Sequence, residues 1–156
     1  MNRNTRWANL GLGQATSING FADRIRTWHY GEIEVCRGEL LAIYPRWWPK
    51  FASQWEAWRD SYLRRPPVDV CRIYYALPRR TPGYLTVVYA HAGPKTQLKT
   101  LFRGVRLVDE IAAIWKIKAI VCQATNARLN ERLMRRLGYV RYAFSLGENH
   151  YIKRTT

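Results

Sequence analysis

Residues 118–154 constrain the fold most tightly, because apolar runs too short for helices alternate there with one helical segment. Ala119-Ile120-Val121-Cys122 has the length and β-branching of a buried strand. Thr125-Asn126 follows, and Asn126 is read as a helix N-cap, its side chain accepting from one of the first free backbone N–H groups. Leu129, Leu133 and Leu137 recur at four-residue intervals on one face, with Arg128, Arg132, Arg135 and Arg136 opposite. Gly138 ends the helix, since glycine enters the left-handed region without a Cβ penalty. Residues 139–146 and 149–154 then predict a hairpin over a turn containing Gly147.

Upstream, residues 68–77 and 84–92 are the best strand candidates, and the loop at 78–83 predicts an antiparallel pair. Tyr84-Leu85-Thr86-Val87-Val88-Tyr89-Ala90 is apolar on both faces, as a central strand requires. Past Gly93-Pro94, the positions Leu98, Leu101, Val105, Val108, Ala112 and Trp115 step by three or four residues and predict a long helix. Nearer the N-terminus, Phe21, Ile25 and Trp28 predict a short helix over 20–30 that Gly31 stops. Residues 32–37 and 39–44 predict a hairpin about Arg37-Gly38. Phe51, Trp55, Trp58 and Tyr62 form a helical stripe read as core packing, broken at Arg64-Arg65-Pro66-Pro67. Of the adjacent Trp47-Trp48 pair, one indole is left to line an acceptor cleft. Residues 1–19 are weakly patterned and expected to be a flexible or loosely docked arm, and residues 20–156 a single domain.

With 156 residues, 47% of them hydrophobic, the chain has the material for one packed core. No apolar run approaches the ~20 residues a membrane helix needs, and residues 1–19 lack a secretory core, so a cytoplasmic protein is expected. Cys36, Cys71 and Cys122 form no C-x-x-C pair and are expected to be reduced, buried thiols without a metal. Lys and Arg number 26 against 11 acids, a net charge of +15, which draws the chain to anions such as nucleic acid, acidic headgroups or a phosphorylated ligand.

The order of elements from residue 68 onward resembles the GNAT family of N-acetyltransferases, most closely over residues 84–154. The motifs that carry it are the Asn-capped helix, the Gly138-Tyr139 pair and the closing hairpin. The resemblance implies an α/β (α+β) fold, with a mixed, mostly antiparallel central sheet and helices on both faces. It implies that two neighbouring parallel strands, here 84–91 and 118–124, splay apart to admit acetyl-coenzyme A. Backbone at Val88, Tyr89 and Ala90 would then pair with the pantetheine arm. Lys95, Thr96, Gln97, Lys99 and Thr100 would hold the pyrophosphate at the start of the long helix, and Asn126 would start the helix beside the cofactor.

Two elements of the family pattern are missing. The hexamer Lys95-Thr96-Gln97-Leu98-Lys99-Thr100 lacks the glycines of the family's phosphate loop. A second register, Arg103-Gly104-Val105-Arg106-Leu107-Val108, opens with Arg-Gly but leaves the helix too short. Where many members carry a proton-donating tyrosine, this chain has Met134 counting back from Gly138, or Leu133 counting forward from Asn126. His91 is the candidate base and Tyr139 the candidate acid, with Tyr142 a substitute for it; Gln123 is placed to orient an acceptor, and Glu148 and His150 lie on the terminal hairpin. The implied activity is acetyl transfer from acetyl-coenzyme A to an amine. The alternative is a catalytically degenerate module that binds nucleic acid or another anionic partner through its basic surface, although no established nucleic-acid-binding motif is present.

Overall fold

The structure is a computed structural model and describes residues 13–46, 69–123, 129–143 and 149–155. Seven strands make one sheet: β1 (Tyr30–Cys36), β2 (Glu39–Pro45), β3 (Val70–Ala76), β4 (Tyr84–Ala92), β5 (Ala119–Gln123), β6 (Val140–Ala143) and β7 (His150–Arg154). They lie in the order β2-β1-β3-β4-β5-β7-β6. Only β4 and β5 run parallel, and the other five pairings are antiparallel. The fold is therefore a mixed α/β one with a mostly antiparallel sheet, in which β4 is the central strand.

Alternation sets the two faces of the sheet. In β1, Gly31, Ile33 and Val35 are buried while Glu32 and Glu34 face the other way. In β3, Cys71, Ile73 and Tyr75 join the apolar core, and the intervening Arg72 and Tyr74 meet the glutamates of β1. The tight β1–β2 turn needs two left-handed residues, which Arg37 (φ 53°) and Gly38 (φ 84°) supply.

One long helix, α2 (Leu98–Ile114), crosses β1, β2 and β3 on the apolar face. It buries Thr100, Gly104, Leu107, Val108, Ile111 and Ala112. Burying a side chain such as Leu107 or Ile111 contributes about 1.5–3 kcal/mol. Gly104 lies in the helix interior: a Cβ there would stand 2.8 Å from Ile73 Cδ1, so the glycine permits close helix–sheet packing. That disposes of the Arg103-Gly104 register for a phosphate loop. A short helix α1 (Ala22–Ile25), preceded by a 3₁₀ turn at Asn19–Phe21, and the helix α3 (Glu131–Arg136) complete the described elements. Ile25 of α1 and Met134 of α3 reach the same core cluster as Leu107 and Ile111.

Four expectations need correcting. The helix expected over 20–30 is only α1, because Tyr30 and Gly31 pair with Ala76 and Tyr75 in the sheet. Gly31 is not a helix stop; the Tyr75 ring occupies the space where its Cβ would be. Part of the expected loose arm is docked, since Ala15 and Ile43 exchange backbone hydrogen bonds of 2.9 and 2.7 Å and Ala15 is buried. The N-cap of α3 is Asn130, whose Oδ1 accepts the Leu133 N–H at 2.9 Å, and not Asn126, which lies outside the described residues. Both asparagines precede the leucine stripe, but Asn130 is the one followed by an acid in the first turn, Glu131, where the helix dipole favours it. The stripe Phe51, Trp55, Trp58 and Tyr62 and the pair Trp47-Trp48 also lie outside the described residues.

Candidate functional site

Among the described residues the parallel ladder between β4 and β5 runs from Tyr84↔Ala119 to Val87↔Cys122, while β4 continues to Ala92. Tyr74 faces Tyr89 and Tyr75 faces Val87, so Val88 is an extra residue bulged out of β4. A bulge bends its strand and raises its local twist, and this one follows the last residue of β4 paired with β5. Beyond the bulge, a small open cleft of about 80 Å³ is lined by Ala90, Ala92, Thr96, Gln97, Leu98, Leu101, Leu129 and Leu133. Its walls are the end of β4, the first turn of α2, Leu133 of α3 and Leu129 just before that helix. Leu98 remains 58% exposed at the rim.

A carboxylate unforeseen in the sequence organises the start of α2. Asp69, 7% exposed, accepts the N–H of the N-cap residue Gln97 through Oδ1 at 2.9 Å. Its backbone carbonyl accepts the Arg37 N–H of the β1–β2 turn at 2.9 Å. Thr96 adds a second tie, donating its hydroxyl to the Val70 carbonyl at 2.9 Å. Thr100 is fully buried and its N–H is bonded to the Gln97 carbonyl, so it serves the sheet side of the helix and not the cleft. The N–H groups of Leu98 and Lys99 have no acceptor among the described residues, and the exposed side chains of Lys95 and Lys99 form no ion pair there.

Tyr89 and His91 alternate with Ala90 and Ala92, so their side chains lie on the opposite face of β4 from the cleft. The Tyr89 hydroxyl is 3.4 Å from His91 Nδ1, and the Tyr89 ring lies 6.0 Å from that of Tyr74. Tyr74 donates to Glu32 at 3.0 Å, Arg46 pairs with Glu32 at 2.6 Å, and Arg72 donates twice to Glu34 at 3.2 and 3.0 Å. Burial, reinforced by Glu32, pushes the Tyr74 phenol well above its ordinary pKa. Buried charges persist only when paired, and these carboxylates and guanidiniums satisfy one another across three strands.

The remaining candidates sit near the ladder's end. Tyr139 follows Gly138 (φ 85°), is 3% exposed and packs in the core, with the Lys153 ammonium 5.7 Å from its ring centre. Burial chiefly, with the neighbouring Cys122 and Asp109, raises its pKa strongly. Cys122 is the last β5 residue paired with β4, and burial lifts its thiol to about 12. Met134 is buried in the core, Leu133 lines the cleft, and His150 pairs with Gln123 on β7. Tyr142 is exposed beside His150, their rings 5.9 Å apart; Glu148 lies outside the described residues.

The structure thus brings Ala90, Thr96 and Gln97 to one cleft, with Val88 at the bulge, while the side chain of Lys99 lies over Gly38 of the β1–β2 turn. Asp69 and the Glu32–Arg46–Tyr74 and Glu34–Arg72 groups were not singled out from the sequence. A signal did exist for Arg72, a charge inside an apolar strand, which requires a buried partner. Among the described residues no three His, Cys, Asp or Glu side chains converge as metal ligands, and no helix is long and apolar enough to cross a membrane.

No protein-family model matches the sequence, and no curated protein matches it. A solved structure from Desulfovibrio desulfuricans, assigned to the GNAT family of acetyltransferases, aligns with a TM-score of 0.43 and 16% identity. The alignment covers 55% of this chain and 59% of that one. A likeness this remote leaves function to be read from the chain's own geometry.

Proposed function

We propose that the protein is a GNAT-like N-acetyltransferase whose cleft beside β4 receives acetyl-coenzyme A. The observation that carries this reading is the parallel ladder ending at Val87↔Cys122 while β4 runs on past a bulge into an apolar cleft. The donor set proposed for the cofactor is the Leu98 and Lys99 amides with the neighbouring Lys95 ammonium for its phosphates, and Leu101, Leu129 and Leu133 for its pantetheine arm. Backbone at Val88, Tyr89 and Ala90 is the proposed track for the pantetheine amides, and Asn126 the proposed neighbour of the cofactor's far side. When bound, acetyl-coenzyme A supplies an acetyl group already activated as a thioester.

Two candidates remain for proton transfer. His91, held near the Tyr89 hydroxyl, takes a proton from the acceptor amine on the polar face of the sheet. Tyr139 is the second, as donor to the leaving thiolate, but its phenol is buried in the core and its pKa raised strongly, which makes it a poor donor. The acceptor is an amine of undetermined identity. Titration calorimetry with acetyl-coenzyme A, and with desulfo-coenzyme A as control, tests the reading. Saturable binding of one cofactor per chain supports it, and absence of binding at near-millimolar cofactor refutes it.

A second reading is favoured by one observation: a carboxylate, Asp69, already accepts the N-cap amide of α2, and its negative charge opposes a phosphate there. On that reading the chain is a degenerate module that binds nucleic acid through exposed Arg132, Arg135 and Arg136 and its net charge of +15. Affinity would then fall steeply with salt through counterion release, and Arg132→Glu with Arg136→Glu would weaken it.

A further inference from the structure

We infer that Asp69 is a positioning residue of the cofactor site, doing by a buried side chain what a glycine-rich loop does by backbone approach; the inference rests on the acetyltransferase reading above. Three observations meet at this residue. Its Oδ1 accepts the N–H of Gln97, the N-cap of α2, its carbonyl accepts the Arg37 N–H, and the next carbonyl, of Val70, accepts the Thr96 hydroxyl. The start of α2 is thereby pinned to the start of β3 and to the β1–β2 turn at once. No side chain of α2 itself caps that helix. The first turn would otherwise hold itself by backbone bonds alone, and an uncapped first turn frays.

The remaining carboxylate oxygen points to the same role. Asp69 Oδ2 and Thr100 Oγ1 are both buried and have no hydrogen-bond partner among the described residues. Thr100 is the third residue of α2 and fully buried, on the sheet side of the helix. The Gln97 N–H is addressed by the Asp69 carboxylate. An incoming phosphate is directed instead to the next two amides, Leu98 and Lys99, with Lys95 preceding them in the chain. Asp69 sets where those donors stand without itself touching the ligand. Its charge opposes the phosphate, so geometry and charge have opposite effects and can be separated by substitution.

Asp69→Ala removes acceptor and charge together, whereas Asp69→Asn keeps an oxygen on the Gln97 amide and removes only the charge. Losing a cap of this kind lowers the equilibrium constant for the ordered turn by about tenfold. Calorimetry with coenzyme A should give weaker binding for Asp69→Ala, by up to about tenfold, since affinity scales with the competent fraction. Asp69→Asn should bind as tightly as the parent or more tightly. Hydrogen exchange of the Leu98 to Leu101 amides should accelerate in Asp69→Ala and not in Asp69→Asn, with or without ligand. If both variants bind coenzyme A like the parent, Asp69 does not position the site. If both weaken it alike, the carboxylate acts otherwise than as proposed. Should Asp69→Ala fail to fold, the parent and Asp69→Asn carry the comparison, and weaker binding by Asp69→Asn overturns the inference. If the parent itself binds no coenzyme A, the acetyltransferase reading fails, and the exchange measurement still decides whether Asp69 pins the helix.

Discussion

Replacing Gly31 by alanine tests how tightly the sheet is packed beside the bulge. Gly31 and Tyr75 are direct cross-strand partners, and Tyr75 in turn faces Val87, the last β4 residue before the bulged Val88. A Cβ on Gly31 would stand 2.4 Å from Cζ and Oη of Tyr75 and 2.5 Å from Cε1. Tyr75 is 2% exposed, so the ring has no solvent to move into, and relief requires a shift of about 1 Å in close-packed surroundings. Overpacking of this kind costs about 3 kcal/mol, at the upper end of its usual range. The alanine also restricts the unfolded chain, which returns about 0.4–1 kcal/mol. Packing wins, and the net expectation is a loss of about 2 kcal/mol, or about 4–8 °C in Tm for a chain of this size. Tyr75→Phe should do the opposite. Its hydroxyl is buried without a partner among the described residues, so removing it should stabilise by about 1 kcal/mol. In the double variant Oη is gone but Cζ and Cε1 remain, so the alanine should cost about 1 kcal/mol less than in the parent. Urea denaturation of the four proteins measures the cycle. Gly31→Ala at or above parental stability would refute the packing argument.

The cleft and the thiols yield two more expectations. Ala92→Leu places three further carbons in the cleft and should weaken coenzyme A binding more than about tenfold while Tm moves by a few degrees at most; parental affinity would remove Ala92 from the site. Cys71 and Cys122 are lifted from 9.0 to about 12 by burial, with Asp69 adding to the rise at Cys71. An acid raised in the folded state stabilises fully below its unfolded pKa and loses that contribution as pH climbs toward the folded value. The urea midpoint should therefore be lower at pH 10 than at pH 8, and Cys71→Val with Cys122→Val should flatten the difference. Equal midpoints at the two pH values would contradict the burial of these thiols.

The sequence by itself determined the elements whose cause is local. β-branched and aromatic content marked β3 and β4, the spacing from Leu98 marked α2, Arg37-Gly38 marked the turn between β1 and β2, and Gly138 marked a helix stop. Even the order β3-β4-α2-β5-α3-β6-β7 was legible, because each of these segments declares itself within a few residues. The tertiary structure alone decided everything that depends on a partner distant in the chain. Asn126 was read as the cap, and only the fold shows that Asn130 meets the Leu133 N–H. Gly31 looked like a helix stop because its role, making room for Tyr75, is written forty-four positions away. Val88 reads as one more apolar residue of a strand, and becomes a bulge only through the register that β3 imposes. Asp69 is an ordinary acid before a strand until folding carries Gln97 to it. Local propensity acts over a turn or two of chain, whereas a site is assembled by sheet register and helix docking, and these balance energies between residues that the sequence keeps far apart.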